Sequence, residues 1–504
     1  MNGRSGLQGK YMGRRSGILM HITSLPGPGG IGSLGPEARA FADALNQSGT
    51  SLWQVLPCGP TGYGESPYQS PSVFAGNPLM ISEEQLALDG ILSSISKPPF
   101  DDGRVDFPRV RAAKEAMLRR AYKESGKRLS GEVERFAAEQ PWLPDFALFM
   151  ALKERYGGGK WGDWPDRDLR FRKGAALRRA REELRDEIAY HSFVQYLFSR
   201  QWDALRAYCR RAGILLFGDM PIYVAEDSAD TWADPAVFQL DREWIPKRVA
   251  GVPPDFFSED GQLWGNPLYR WGYLRWIRRY DWWVNRMRGM QRLYDLIRVD
   301  HFIGFANYWS VSYGAPNARK GKWVKGPGRA LFDRLNRELP GLRIVAEDLG
   351  EVNDRVRKLL AATGYPGMRI LSYGFGGGED NPHHPDHLSE NCVLYTGTHD
   401  NEPCLSWLRR ASGEELSRIR ACYPFADPKS GVRAIVEGCF ESVCDTCMIP
   451  MQDILALGGE SRMNLPGTVG GNWMWRMKPG ALTREIIEWL RLMNEKTGRA
   501  ARND

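Results

Sequence analysis

The chain is 504 residues long, yet it lacks any apolar run near the ~20 residues that a membrane-spanning helix needs. Its basic, glycine-rich start, residues 1–17, leads only into Ile18-Leu19-Met20, which is too short a core for a secretory signal. Histidine is scarce, seven in all, and no His-x-His pair occurs, which argues against a metal-dependent hydrolase built on His21, His399 and Asp400. Cysteine numbers eight, but Cys444-Asp-Thr-Cys447 is a lone C-x-x-C with no second pair and no nearby histidine. That pattern fits neither a zinc site nor a disulfide scaffold, and points to reduced thiols in a cytoplasm. The glycines after Ile22 lack the spacing of a nucleotide-binding turn and are interrupted by Pro26 and Pro28. Gly157-Gly-Gly-Lys-Trp is not followed by Gly-Lys-Ser/Thr, so it is a turn rather than a phosphate loop. The net charge of +7 is dispersed, with its largest concentration over residues 104–185, as expected of solvated helical faces rather than a nucleic-acid surface.

Aromatics, by contrast, are plentiful: 18 Trp, 19 Tyr and 20 Phe. Several stand beside Gly, Pro or Asn, among them Trp161, Trp164, Trp264 and Trp473. Each taken singly reads as a core residue. As a set in polar loops they point to a ligand with flat apolar faces and polar edges, such as a sugar.

Eight short apolar runs ending in polar residues read as strands: 17–22, 51–57, 214–219, 296–300, 343–347, 368–373, 392–398 and 448–454. Helical patterns, such as 38–48, 352–362 and 413–422, separate several of them, which implies a parallel sheet and favours an α/β fold, a closed (β/α)8 TIM barrel, over an open doubly wound sheet. Residues 82–200 are charged and helically periodic (Leu184, Ile188, His191, Val194, Phe198), and read as an inserted, mainly helical subdomain in which His191 is packed rather than a ligand. Loop insertions are expected at about 225–290 and 305–340, within a single catalytic domain spanning 1–504. The stretch 59–78, rich in turn formers with Tyr63, Tyr68 and Gln69, is too long for an ordinary connection and reads as a binding loop.

The chemistry gathers at strand ends. Arg298 and Asp300 share one strand face, where the guanidinium is expected to hold the carboxylate ionised. Asp219, Glu347 and Asp400 end three further strands, with His301, Asp348, His399 and Asn401 beside them. On a barrel all four carboxylates point into one mouth, and carboxylates in unequal environments are what glycosyl transfer needs.

The chain resembles the amylomaltases, the 4-α-glucanotransferases of glycoside hydrolase family 77 in the α-amylase clan. Carrying the resemblance are His21-Ile-Thr-Ser-Leu-Pro, Gly62-Tyr-Gly-Glu-Ser-Pro-Tyr-Gln-Ser, Gly218-Asp-Met-Pro-Ile-Tyr-Val, Gly251-Val-Pro-Pro-Asp, Trp264-Gly-Asn-Pro-Leu-Tyr, Arg298-Val-Asp-His-Phe, Ala346-Glu-Asp-Leu-Gly, Thr396-Gly-Thr-His-Asp-Asn and Asn464-Leu-Pro-Gly-Thr-Val-Gly-Gly-Asn-Trp. The resemblance implies Asp300 as nucleophile, Glu347 as acid/base, and Asp400 as stabiliser of the transition state; a poorly solvated Glu347 is expected to have a raised pKa. It places Asp219, Arg298 and His399 at the donor sugar, with His301, Asn401 and Asn464 among the substrate-binding residues, Tyr68 and Trp264 as sugar-contacting aromatics, and Tyr63 at a second glucan site. It further implies α-1,4-glucans and maltooligosaccharides as partners and no cofactor. Calcium is common in the clan, but no loop has the oxygen-ligand spacing it needs, so no metal is expected. The chain ends shortly after Trp473, so no C-terminal β-domain is expected. A cytoplasmic location and a monomer or small homo-oligomer are expected. The nearest alternative is an α-1,4-glucan hydrolase with the same carboxylates; a silent glucan-binding protein is a more distant one.

Overall fold

A computed structural model describes residues 13–96, 100–101, 103–254, 258–378 and 380–501. Residues 1–12 of the basic start, and Asp255–Phe257 of the Gly251-Val-Pro-Pro-Asp motif and the loop that follows it, lie outside the described residues.

All eight predicted strands form. They are β1 (Arg15–Leu19), β2 (Leu52–Gln54), β3 (Leu215–Met220), β4 (Leu296–Val299), β5 (Ile344–Ala346), β6 (Gly367–Ile370), β7 (Cys392–Tyr395) and β8 (Thr446–Pro450). Seven parallel ladders link them in the order β6-β7-β8-β1-β2-β3-β4-β5. The Ala346 N–H donates to the Pro366 carbonyl at 2.9 Å, bridging β5 to the residue ahead of β6 and closing the ring. Strands this short and apolar are stable only when both faces are covered, and nearly every residue in them is buried.

The barrel interior is layered. Leu52, Phe217, Leu296, Val345, Met368, Val393, Tyr395 and Met448 form an apolar cluster distinct from the barrel–helix core. β1 contributes a glycine to it: a Cβ on Gly17 would stand 2.2 Å from Met448 Sδ and 2.7 Å from Leu52 Cβ, so this position must stay empty for Met448 to fill the centre. Two residues beyond Phe217, Leu296 and Val345, on the same inward face, come Asp219, Arg298 and Glu347. The period of two therefore converts an apolar layer into a polar one at the C-terminal mouth.

Two readings need correction. The run 448–454 is strand only to Pro450; Met451–Ile454 is a short helix, because the proline ends the ladder while the apolar pattern continues. The regions read as loop insertions carry a four-stranded antiparallel sheet of Arg248–Val252, Gln262–Pro267, Asn307–Ser312 and Gly321–Lys325. Two of its strands, Gln262–Pro267 and Gly321–Lys325, are short and partly exposed, and so lack an apolar run. Residues 82–200 hold helices, including Phe107–Ser125 and Leu143–Arg155, and lead into the long helix Arg185–Arg211 that runs on to β3. Trp161 and Trp164 are packed there against an apolar core with Trp232, so their polar sequence neighbours do not mark a ligand site. No strand follows Pro450 among the described residues, and no described helix is long and apolar enough to cross a membrane.

Candidate active site

The in-register pairing of β3 with β4 sets Asp219 directly beside Arg298. Arg298 Nη1 donates to both Asp219 oxygens, at 2.7 and 2.6 Å, and its Nη2 stands 3.0 Å from Asp300 Oδ1. Arg298 and Asp219 are buried, so this contact, in which one guanidinium nitrogen serves both carboxylate oxygens, is shielded from solvent screening.

Glu347 follows β5. Its two carboxylate oxygens accept backbone N–H groups, Oε2 from His301 at 2.6 Å and Oε1 from Leu349 at 2.8 Å. His301 has φ of 50°, in the left-handed region, and this turn out of β4 aims its amide at Glu347. Asp300 thus sits between Arg298 and an amide bonded to Glu347. Trp264 meets the His301 ring edge-on, with centroids 4.8 Å apart.

The third side of the mouth is the turn after β7. Tyr68 Oη lies 2.8 Å from Asp219 Oδ2 and 2.8 Å from His399 Nε2. Asp219 can only accept, so the tyrosyl proton goes to it and His399 carries its proton on Nε2. That nitrogen also faces Asp400 Oδ1 at 3.5 Å. Asn464 Nδ2 donates to the same Asp400 oxygen at 2.6 Å, and Asn401 Nδ2 donates to Tyr373 Oη at 2.8 Å. A chain of side-chain contacts therefore runs from Asp300 and Arg298 through Asp219, Tyr68 and His399 to Asp400 and Asn464, and Glu347 joins it through the backbone amide of His301, the residue after Asp300.

Burial sets the proton affinities. It pushes His301 down to about 4, and lowers His399 despite the nearby Asp400, so both imidazoles are neutral at pH 7. It raises Glu347 against the pull of Arg298 and the two backbone donors. Asp300 also moves up, to about 8, because burial and the carboxylates of Asp219, Glu347 and Asp400 outweigh the adjacent guanidinium. The expectation that Arg298 lowers the Asp300 pKa below its ordinary value is thus corrected: the guanidinium pulls it down, but burial and the other carboxylates outweigh it. The Asp300 side chain keeps 29% of its surface open to the cleft, and water there relieves part of that upward pressure. Ionising both Asp300 and Glu347 is therefore disfavoured, and the pair holds one proton; Asp300, partly open to water and 3.0 Å from Arg298, is the better placed to be the ionised member.

Of the twelve residues given catalytic or substrate-binding roles from sequence, eleven join this mouth. Tyr63 does not: it stands 77% exposed on the 59–78 loop, in the short turn Tyr63–Glu65 close to Val469. Asp348, also noted at the strand ends, instead accepts from the Met368 N–H at 2.7 Å and pairs with Arg369 at 3.2 Å. Two site residues were not anticipated. Arg462 donates to the Asp400 carbonyl at 2.6 Å and to the Asn464 carbonyl at 2.8 Å, and Tyr373 receives Asn401. Arg462 lies two residues ahead of the Asn464 motif, and Tyr373 ends a predicted strand, so position alone could have marked them. Trp473 adds a ring 5.9 Å from both Tyr68 and His399.

Among the described residues, one group offers three donor atoms within 4.8 Å: Glu154, Glu187 and His191. It lies in the helical region, away from the mouth, and Arg119 already contacts both carboxylates at 3.0 and 2.7 Å.

A parallel eight-stranded barrel with buried acids around one arginine at its C-terminal mouth is the framework of a glycosyl-transferring or glycosyl-hydrolysing enzyme. Comparison with known proteins narrows this. The family profile described as 4-alpha-glucanotransferase matches residues 20–483. The 4-alpha-glucanotransferase of Thermus thermophilus is 46% identical over 96% of this chain and 99% of its own length; that of Clostridium butyricum is 39% identical over 95% and 100%. The solved amylomaltase of Streptococcus agalactiae in complex with acarbose superposes with a TM-score of 0.93 at 39% identity, covering 97% of this chain and 100% of the other. The chain belongs to the 4-alpha-glucanotransferase family.

Proposed function

We propose that this chain moves a segment of an α-1,4-glucan onto the 4-hydroxyl of another glucose or glucan, with retention, through a glycosyl ester on Asp300. The observation that carries the reading is the single contact network joining Asp300, Glu347 and Asp400 at one mouth. In the first step an Asp300 oxygen attacks C1 of the donor. The C1–O bond breaks, and the leaving 4-oxygen takes the proton of Glu347, which burial favours in its protonated form. Asp400, oriented by Asn464, accepts hydroxyls of the flattening sugar ring. In the second step Glu347 takes the proton of the acceptor 4-hydroxyl as it attacks C1, and Asp300 leaves as a carboxylate beside Arg298. Two inversions restore the α linkage.

Transfer requires that a sugar outcompete water at the ester. The 59–78 loop supplies Tyr68, and its Gln69 Nε2 reaches Asn266 Oδ1 at 3.4 Å beside Trp264, so two aromatic-bearing segments are tied together over the cleft. These rings would stack an acceptor where water would otherwise enter. We place the enzyme in the cytoplasm, acting on maltooligosaccharides.

Maltotriose tests the reading. Glucose plus a ladder of longer maltooligosaccharides, at constant total reducing ends, is the expected product set. A net gain of reducing ends without a ladder would identify a hydrolase instead.

A further inference from the structure

We propose that Asp453 is a positioning residue: it holds both ends of the turn that carries His399 and Asp400, and thereby sets the rate of glycosyl transfer without touching sugar. The proposal rests on the roles given above to His399 and Asp400. Asp453 is buried in the short helix Met451–Ile454, which follows β8 and so belongs to the barrel unit next to theirs. One of its oxygens accepts from Thr396 Oγ1 at 2.5 Å, and the other from the Cys404 backbone N–H at 2.7 Å. Thr396 is the residue after β7, and Cys404 opens the helix Cys404–Arg410. The two anchors therefore bracket the whole segment bearing Thr398, His399, Asp400 and Asn401.

Inside the bracket the turn folds on itself: Thr398 N–H and Oγ1 both donate to Asn401 Oδ1, at 2.7 and 2.9 Å. From the cleft side it is held through Asn464 N–H to the His399 carbonyl at 3.1 Å and through Arg462 to the Asp400 carbonyl. From the core side Asp453 is the side chain that fixes both ends. Its two partners are an uncharged hydroxyl and an amide, and burial raises its pKa to about 6. A buried carboxylate so paired is a poor choice for stability, because it is desolvated without a countercharge. Its use is geometric: only a carboxylate of this length offers two acceptors to two donors at opposite ends of one turn. Asparagine keeps one acceptor for the Cys404 N–H, but can hold Thr396 only by donating to its hydroxyl oxygen, which sends the Thr396 proton to another acceptor and replaces a charged hydrogen bond with a neutral one.

The experiment uses the full chain, with Asp453→Asn, and Thr396→Val as a second variant that removes a single anchor and keeps the carboxylate. Steady-state transfer on maltotriose is measured together with Tm and with hydrogen exchange of the 397–403 segment. Expected for Asp453→Asn is a fall in kcat of about tenfold or more, with KM within about twofold of the parent. Expected for Thr396→Val is a fall of about fivefold. Exchange of 397–403 should quicken in both while the rest of the barrel is unchanged. A wild-type chain that makes no ladder from maltotriose defeats the transfer reading itself. A wild-type chain that makes one, while both variants keep its kcat within about twofold, defeats the positioning role alone. A rise in KM at unchanged kcat would also overturn it.

Discussion

Two arginines in this molecule gather the same kinds of partner, and the outcomes differ. Arg119, on the helix Phe107–Ser125, contacts Glu115, Glu154 and Glu187 at 2.7, 3.0 and 2.7 Å, lies over the Tyr190 ring at 3.6 Å, and has His191 nearby. Arg298, on β4, has Asp219, Asp300, Tyr68 and His399 around it, with Glu347 adjacent. The lists of residue types nearly coincide. What separates them is water. The Arg119 side chain is 35% exposed and its acids 35–52%, whereas Arg298 is 5% exposed and Asp219 fully buried. In the first cluster burial pushes Glu154 up, yet His191 and Arg119 prevail and hold it below its ordinary value. In the second the same competition ends the other way: burial prevails, Glu347 and Asp300 both move up, and the pair holds a proton on Glu347 while Asp300, beside Arg298, supplies the carboxylate. An arginine among acids is therefore a surface ion-pair network on a helix and a proton-holding site in a barrel mouth, and desolvation decides which.

That contrast can be broken most severely at Asp300. Asp300→Asn should lower transfer by about 10⁴-fold or more while glucan binding, followed by tryptophan fluorescence, survives. Arg298→Met should come next, costing about 10²–10³-fold in kcat, because it leaves buried Asp219 without its counterion. It should also move the acid limb of the pH–rate profile to higher pH: the lost cation was favouring ionised Asp300, so ionisation then needs a higher pH. Tyr68→Phe removes the hydroxyl between Asp219 and His399 and should cost about tenfold in kcat/KM, measured on maltotriose. Arg119→Met supplies the smallest effect: kcat within about twofold, no pH shift, and a Tm lower by no more than about 2 °C in calorimetry. An Arg119→Met chain as impaired as Arg298→Met would erase the distinction.

Most of the framework was legible because each barrel strand is a short apolar run closed by a polar residue. The period of two then placed Asp219, Arg298 and Glu347 above Phe217, Leu296 and Val345. The antiparallel sheet was not legible, because strands such as Gly321–Lys325 are largely solvent-facing and carry no apolar pattern. Trp161 and Trp164 misled for the opposite reason: polar sequence neighbours conceal a packed interior. Within the site, Arg462 and Tyr373 acquire meaning only from what the turns after β7 and β8 bring beside them. The upward shift of Asp300 was not legible from sequence because Arg298 is visible two residues away, whereas burial and three distant carboxylates are not. Asp453 was passed over as the end of an apolar run, since nothing local shows that Thr396 and Cys404 converge on it.

The central claim is a covalent bond between sugar and Asp300 formed with Glu347 as the proton carrier. Glu347→Gln incubated with a maltotriosyl fluoride, whose leaving group needs no acid, should accumulate that ester because its second step lacks a base. Intact-mass and peptide mass spectrometry would then show one maltotriosyl unit on the peptide containing Asp300. Full reaction of the fluoride with no adduct, or an adduct on a different residue, would contradict the account.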